Sequence, residues 1–530
     1  MASAGRTRRM ISNPGTFAHF RCRPDNPTMT SGLLRHIPGS LIPLVLLWAL
    51  VPGCKVGPDY QRPDLNLPDS WVQARSEIQG QSPPQLENWW TVFQDPMLDD
   101  LILEAESNNL NLLVAVARID EYRARYGIAS ADLYPDIGSF AAYRRARVSD
   151  TDFDQAGYSV GGPFNNWGIG LDASWELDLF GRIARSIEAA TAEWEGIIDD
   201  WRGVMVTMRA DVANSYINIR TLQARRVVLQ KNLESSRKLI ELTSHMESSG
   251  TSSMLQVYQA TAQQQQFEAQ MPNIDFQIAK EINSLAVLLG RTEGDLADQL
   301  GVDRTIPEPP GEVSVGIPAD IIRRRPDLCS AERALAAATA RVGVAEAMLY
   351  PSIRLTGTFA FTASSFSDVW NWSSRTYSAG PSISWDVFNG GRLESAVKEA
   401  EAVTKIALLD YQQKALTAIA EVETALAGFA LAARERDILK LGVDSGEKAL
   451  KLATMQYRAG TLDFITLLTA QQQVLLLENE LVQAKGLCAE TLIELYRALG
   501  GGWDPDQLPP SFDSDAKEPP DMTASGKESA

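Results

Sequence analysis

The sequence predicts a mixed α and β fold, mostly helical, with an internal two-fold duplication. Three observations predict it. Two proline-free stretches, from about Arg182 to His245 and from Arg392 to Tyr457, carry apolar residues at alternating spacings of four and three. Four separate segments alternate apolar and polar side chains with a period of two. The two halves of the 530-residue chain also match each other in register.

Composition excludes several functions. Lys and Arg total 49 against 67 Asp and Glu, a net charge of -18, so nucleic acid is not an expected partner. Three histidines and four cysteines leave little for a metal cage or a Cys/His catalytic site. No Gly-rich phosphate loop, GxSxG elbow or HExxH pair occurs. The expectation is a non-enzyme without metal or cofactor. Cys22, Cys54, Cys329 and Cys488 are too few and too scattered for a disulfide framework.

The chain opens with an address, residues 1–53. An apolar run of about 11 residues, Leu41 to Val51, follows Arg35-His36 and precedes Pro52-Gly53-Cys54, the pattern of a signal peptide. It is too short for a membrane span of roughly 20 residues. Residues 1–28 are rich in Arg and Pro, and Met29 begins a leader of ordinary length, so translation is expected to start there. The run resembles a bacterial lipoprotein lipobox, which implies cleavage before Cys54, lipidation of that cysteine and anchoring in lipid. By the same resemblance, Lys55 in place of an aspartate favours the outer membrane.

The duplication follows. Ala124-Arg125-Tyr126-Gly127-Ile128-Ala129 recurs as Ala340-Arg341-Val342-Gly343-Val344-Ala345, and Leu133-Tyr134-Pro135 as Leu349-Tyr350-Pro351, at an offset of 216. Ser174-Trp175-Glu176 recurs as Ser384-Trp385-Asp386, Gly181-Arg182 as Gly391-Arg392, Gly250-Thr251 as Gly460-Thr461 and Leu289-Gly290 as Leu499-Gly500, at an offset of 210. One six-residue length difference aligns both halves. Each half reads as a helical stretch (Leu98 to Leu133; Ile321 to Leu349), a strand pair, a long helix, a glycine turn and a return helix. Two copies are fewer than a solenoid needs, which points to a larger symmetric assembly.

The strands are the most regular pattern. From Trp167 to Leu179 every odd position is apolar and every even one is Gly, Asp, Ser or Glu. Ile353, Leu355, Phe359 and Phe361 alternate with Arg354, Thr356, Thr358 and Thr362, Ala379, Ile383, Trp385 and Val387 alternate with Ser378, Ser382, Ser384 and Asp386, and a less regular strand starts near Pro135. Such strands are long enough to cross a membrane, where about 9–11 residues suffice. Four cannot close a barrel, which takes about eight, and open edges are forbidden in lipid. Membrane strands would therefore require several chains to share one barrel; a soluble sandwich is the alternative. Trp167, Trp175 and Trp385 fall on the apolar faces, where an aromatic girdle and packing against neighbouring strands are both open. Trp370 and Trp372 lie in a Ser-rich loop between strands.

Each proline-free stretch is long enough for a helix on the order of 95 Å. One face runs Trp201, Met205, Met208, Val212, Ser215, Ile219, Leu222, Arg226, Leu229, Leu233, Ser236, Ile240 and Thr243. Its counterpart runs from Tyr411 through Ala415, Ala418, Val422 and Phe429 to Ala453. This is coiled-coil patterning, with alanines that permit close approach. Gly250 and Gly460 end the helices, and antiparallel return helices follow, carrying Gln263 to Gln266 and Gln471 to Gln473. Those amides suit either a wetted surface or a helix seam. Cys329 and Cys488 lack cysteine at the matching positions Leu113 and Ile278 and read as buried free thiols, with a bridge between them the alternative in an oxidising compartment. Residues 504–530 are rich in Asp, Pro, Ser and Lys and read as a disordered tail.

Several motifs carry a family resemblance. Cys54 to Pro63 (CKVGPDYQRP) resembles the mature start of outer-membrane efflux lipoproteins of the OprM/NodT type, within the TolC-like family. Trp89-Trp90 to Leu98, Arg325-Pro326-Asp327-Leu328, Gly380-Pro381 to Phe388 and Tyr496 to Trp503 are similar to further signatures of that family. The resemblance covers roughly Cys54 to Trp503. It implies a homotrimer in which a transmembrane β-barrel of 12 strands, four per chain, continues into a long antiparallel coiled-coil α-barrel through the periplasm. The partners it implies are a periplasmic adaptor, an inner-membrane pump of the RND type and outer-membrane lipid, and the cargo is drugs, metals or other small compounds. The chain then divides into leader (1–53), N-terminal periplasmic segment (54–97), first repeat (98–300), linker (301–320), second repeat (321–503) and tail (504–530).

The resemblance also assigns sites. Gly250, Thr251, Ser252, Arg458, Gly460, Thr461 and Asp463 form the periplasmic tips that contact the adaptor; the glycines also close the turns, and a local Arg458–Asp463 ion pair is the alternative role for that pair. Relatives carry carboxylates just past the second tip, whereas this chain has Thr466 and Thr469, with Gln256 and Gln259 in the other half. A polar constriction that binds cations weakly is expected there. Two other readings share parts of the pattern: the outer-membrane channel of a type I protein-secretion system, and a lipid-anchored periplasmic scaffold without a pore.

Overall fold

The computed structural model describes residues 55–65, 68, 70–72, 86–147, 163–292, 294, 296–310, 318–505, 507 and 509. Cys54, the leader and most of residues 504–530 lie outside the described residues. Among the described residues a short 3-10 turn, Trp89–Phe93, precedes α1 (Pro96–Asn108) and α2 (Leu110–Ala131). Strands β1 (Asp136–Ala146) and β2 (Phe164–Leu177) follow. The chain then enters α3 (Arg182–Ser248), returns through α4 (Met254–Glu268) and α5 (Met271–Leu288), and makes a short helix α6 (Leu296–Leu300). The second half holds α7 (Pro318–Arg324), α8 (Pro326–Ala347), β3 (Ser352–Ala363), β4 (Arg375–Ser384), α9 (Arg392–Arg458) and α10 (Phe464–Ala498).

The long helices α3 and α9 are each 67 residues, about 100 Å of helix. Both start after a glycine at positive φ, Gly181 (+80°) and Gly391 (+83°). Their predicted seams are where burial falls: Trp201, Met205, Met208, Val212, Ile219, Leu229 and Leu233 on α3, and Tyr411, Ala415, Ala418, Val422 and Phe429 on α9. A single elongated core joins these faces to Trp89, Trp90, Leu98, Ile282 and Leu492.

The helices break where local chemistry breaks them. The stretch read as one helix from Leu98 is two, because Asn109 leaves helical geometry, caps α2 through Leu112 N and donates to Leu288 O. Its counterpart breaks at Arg325, held extended by Pro326. The first return helix is interrupted before Pro272, whereas α10 runs unbroken for 35 residues.

The four strands form one antiparallel sheet in the order β1-β2-β3-β4. Directly paired residues share a face. One face stacks Ile137, Ala141, Tyr143, Trp167, Ile169, Leu171, Leu355, Phe359, Phe361 and Ile383; the other carries Asp172, Glu176, Arg354, Thr356, Thr358 and Ser382. The apolar face is open in the single chain, with Ile137, Leu171, Phe359, Tyr377 and Ile383 all exposed. On the polar face Gly170 is pressed so close to Ala360 that an added Cβ would lie 2.6 Å from the alanine Cβ.

One expectation is corrected here. Trp385 is not a strand residue: β4 ends at Ser384, and the chain turns into α9 through Asp386, which pairs with Arg392 at 3.2 Å. Trp175 does lie in β2, near its helical end, and Trp167 lies at the opposite end.

Candidate functional site

The ends of the two helical hairpins meet far from the sheet. Gly250 and Gly460 take positive φ (+74° and +72°), the left-handed turn that ends a helix and that glycine adopts at least cost. The two turns use the same bonds. Thr251 N and Oγ1 both donate to Met246 O at 2.9 Å, and Thr461 N and Oγ1 both donate to Gln456 O at 3.0 and 3.1 Å. Leu239 and Ala260 of the first hairpin pack with Ala453, Tyr457, Phe464 and Leu467 of the second in a small separate core.

A polar latch lies beside this core. Gln256 Oε1 accepts from Tyr457 Oη and from Ser252 Oγ, both at 2.7 Å. Burial pushes the Tyr457 hydroxyl above its ordinary pKa, so it remains a donor. Asp463 caps α10, accepting from Thr466 N at 2.9 Å and Thr466 Oγ1 at 2.7 Å. Those bonds hold the Asp463 carboxyl below the usual carboxylate range. Thr469 Oγ1 donates to Ile465 O. The alternative of a local Arg458–Asp463 ion pair is not met: Arg458 makes no ion pair among the described residues, and Asp463 is taken by Thr466. Thr466 and Thr469 are exposed, and Gln259 is half-buried.

The glutamine stretches belong to a seam. Gln263 and Gln471 are buried, Gln472 Nε2 donates to Gln263 Oε1 at 2.5 Å, and Gln471 Nε2 donates to Ser236 Oγ. About two turns further from the tip, buried Glu478 takes Lys231 at 2.6 Å and Asn232 at 3.0 Å. The bond to Glu478 raises the Lys231 pKa.

At the other end, the residues just after Cys54 form a strap on the helical body at the foot of the sheet. Val56 N donates to Phe180 O. The Arg185 side chain is 1% exposed and donates to Val56 O, Gly57 O, Asp59 and Glu188. Burial works against its charge, but the carboxylates outweigh it and raise its pKa. Gly57, at φ +88°, lies against Gly343, where an added Cβ would be 2.4 Å from the Gly343 Cα. Arg62 then pairs with Glu332 at 2.7 Å.

The family signatures prove to be joints. Trp89 stacks on Tyr496 at 5.4 Å, Arg209 covers Trp90 and pairs with Glu106, and Gly502 N donates to Leu86 O. Arg325 donates to Ala498 O, Asp327 and Glu421. Burial raises the Asp327 pKa, and the bonds from Arg325 outweigh it, leaving a low net value. Cys329 and Cys488 are both free thiols, and burial pushes Cys329 up to about 12.

Comparison with known proteins decides the family. The profile described as outer membrane efflux protein matches residues 101–291 and again 317–501. The chain belongs to the outer membrane efflux protein family. Nodulation protein T of Rhizobium leguminosarum bv. trifolii is 31% identical over 458 residues, covering 86% of this chain and 96% of that one. The toluene efflux pump outer membrane protein TtgC of Pseudomonas putida is 31% identical over 469 residues, covering 88% and 96%. The outer-membrane channel OprN superposes with a TM-score of 0.80 at 32% identity, over 85% of this chain and all of that one. As a member of this family the chain is an outer-membrane efflux channel with a large periplasmic portion.

Arg185, the Tyr457–Gln256 latch and the Lys231–Glu478 pair were not read from the sequence. A weak signal existed for two of them: Arg185 is a charge one turn into a long helix, and Tyr457 comes just before the second glycine turn.

Proposed function

We propose that three copies of this chain form a conduit that carries small compounds out of the cell, fed by an inner-membrane pump of the RND type through a periplasmic adaptor. The observation that carries the reading is the sheet. It has one apolar face exposed and two edge strands, β1 and β4, without a second partner among the described residues. In lipid both edges must be paired, and pairing β4 of one copy with β1 of the next closes a 12-strand barrel from three. The long helices support the same assembly. Outside its seam, α9 exposes Ile406, Leu409, Leu416, Leu431, Ile438 and Leu441, more apolar surface than a lone helix leaves to water.

In this reading the polar sheet face lines the pore, and α3, α9 and their return helices extend it as an α-barrel. The two halves, with the same element order and two matches to one profile, are copies of one duplicated unit. Cys54 carries the lipid, and the strap sets it at the foot of the barrel. Gly250, Thr251, Ser252, Arg458, Gly460, Thr461 and Asp463 form the adaptor-facing tip. Gln256, Gln259, Thr466 and Thr469 make a polar constriction with weak affinity for divalent cations. Metal or drug cargo is chosen by the pump.

The first test is the native mass of the mature protein extracted from outer membranes in detergent. A stable trimer that conducts in planar bilayers is expected, and a monomer overturns the shared barrel. For the constriction, divalent cations should block single-channel current weakly, and Thr466→Asp with Thr469→Asp should strengthen the block. Strong block of the unaltered channel would count against a polar ring.

A further inference from the structure

The match between the halves extends to pairing and packing. Its offset is 216 through β1 and β3 and 210 through β2 and β4, and matched residues pair alike. Asp136 pairs with Ser174 and Ser352 with Ser384; at the far ends Arg145 pairs with Asn165 and Phe361 with Arg375. The helices α3 and α9 start and stop at matched positions. One boundary inside the chain has no matched boundary there. The first half meets the second where β2 pairs with β3 and where α3 packs along α8 and α10. Its counterpart would join β4 to β1 and α9 to α2 and α5. In the single chain β1 and β4 are the two edges of the sheet, and α9 does not pack along α2 or α5 among the described residues.

The positions that such a boundary would bring together are bare and apolar. Inside the chain Gly196 of α3 lies against α8, where an added Cβ would be 3.3 Å from Arg333 Cβ and 3.6 Å from Ser330 O. The matched positions are Ile406, Ala117 and Val114. Glycine facing arginine becomes isoleucine facing alanine, so the bulk changes sides and the space stays filled. Further along, Gly486 of α10 lies against Thr221 of α3. The matched positions are Phe276 and Leu431, both larger, so the helices must stand further apart there. Ile406, Val114, Leu431 and Phe276 are each more than half exposed in the single chain.

We propose that the boundary between neighbouring copies repeats the boundary between the halves of one chain. In this interface β4 pairs antiparallel with β1 of the next copy, from Ser378 with Ala146 to Ser384 with Phe140. Ile406 lies on Val114 and Ala117 of the next copy, and Leu431 lies on its Phe276. The inference rests on the reading above, in which the halves are copies of one unit and three chains share a barrel; it adds the register and the contacts. The register keeps each face of the sheet continuous, with Ile383 beside Ala141 and Pro381 beside Tyr143 on the apolar side and Ser382 beside Ala142 on the polar side. A slip of one residue would turn every β4 side chain to the wrong face. The pairing of β2 with β3 selects among the registers that remain. One step then carries the first half onto the second and the second onto the next copy, so three chains close a ring with a single kind of boundary.

The test places cysteine pairs in the full-length protein, oxidises outer membranes and reads covalent dimers and trimers on non-reducing gels. Single variants control for Cys329 and Cys488. Ser382→Cys with Ala142→Cys sets Cα atoms about 5 Å apart across the ladder, within the span of a disulfide, and should link. Ile406→Cys with Ala117→Cys should link too, since the matched pair inside the chain sets Cβ positions 3.3 Å apart. Ser382→Cys with Phe140→Cys, or with Arg144→Cys, sets Cα atoms about 7–8 Å apart, beyond that span, and should stay unlinked. Linking through Phe140 or Arg144 in place of Ala142 means a slip of two residues and overturns the register. Linking of the strand pair without the helix pair overturns the claim that the whole boundary repeats. A protein that is trimeric by native mass but links through none of these pairs overturns the proposal, whereas a monomer by native mass sinks the shared barrel itself.

Discussion

Trp175 and Trp385, 210 positions apart, make the same hydrogen bond. Each indole N–H donates at 3.0 Å to a carbonyl two residues past the end of a helix, Leu133 after α2 and Leu349 after α8. The neighbouring ion pairs repeat as well, Glu176 with Arg182 and Asp386 with Arg392. These bonds tie helix ends to the foot of the sheet. Trp175→Phe and Trp385→Phe keep most of the ring and remove the donor, so each should cost about 1 kcal/mol. The loss of sheet signal on heating in detergent would show it. Unchanged transitions in both variants would mean that the bonds hold nothing.

Arg185 organises the strap from beneath. Arg185→Leu leaves the carbonyls of Val56 and Gly57 without their donor, at a cost of about 2 kcal/mol. Gly343→Ala acts from the other side, since its Cβ would lie 2.8 Å from Arg185 Nε. Both variants should make Arg62 a rapid tryptic site while the helical body stays folded. Cleavage as slow as in the parent protein would sink the assignment.

The latch predicts a change in conduction. Tyr457→Phe removes one hydroxyl, keeps the ring against Phe464 at 5.8 Å, and frees Gln256 from its bond across the hairpins. Mean single-channel conductance, or the fraction of time spent open, should rise without loss of stability. If neither moves, the latch does not restrain the tip.

The cap on α10 predicts an acid dependence. Thr466 holds the Asp463 carboxyl below the usual range. The stability that this adds is complete above the unfolded pKa and disappears as pH falls through the lower folded value. Amide exchange in the first turn of α10, corrected for its intrinsic pH dependence, should therefore accelerate only in acid below the ordinary carboxylate range. Asp463→Asn should cap at every pH and abolish that acceleration. An acceleration that persists in the Asp463→Asn variant would have another origin.

Much of this architecture is legible in the residues. The long helices start at Arg182 and Arg392 as the stretches do and end one to three residues beyond them, at Ser248 and Arg458, because glycines at 250 and 460 supply the turns. The alternation from Trp167 to Leu179 marks β2, which begins three residues earlier, at Phe164, and stops at Leu177. The strand stops before Trp385 because Asp386 and Asn389 bond Arg392 and begin a helix, a tertiary choice that alternation alone does not record. The breaks at Asn109 and Arg325 had local signals, a capping side chain and a following proline, hidden by apolar spacing that runs through them. The latch and the strap were not legible: Tyr457 and Gln256 are 201 positions apart, Arg185 and Asp59 126. Such pairs exist only once the hairpins have closed.

The contact between Gly57 and Gly343 has a practical consequence. A side chain added at Gly57 would strike the Gly343 backbone, and one added at Gly343 would strike the Arg185 side chain that holds the strap, so neither position can acquire one while strap and body keep their places. A chimera that takes residues 1–54 from a relative must therefore be joined so that the native strap travels with the body it fits. Joined with foreign sequence in place of residues 55–63, the chain would enter the helical body with nothing for Arg185 to hold.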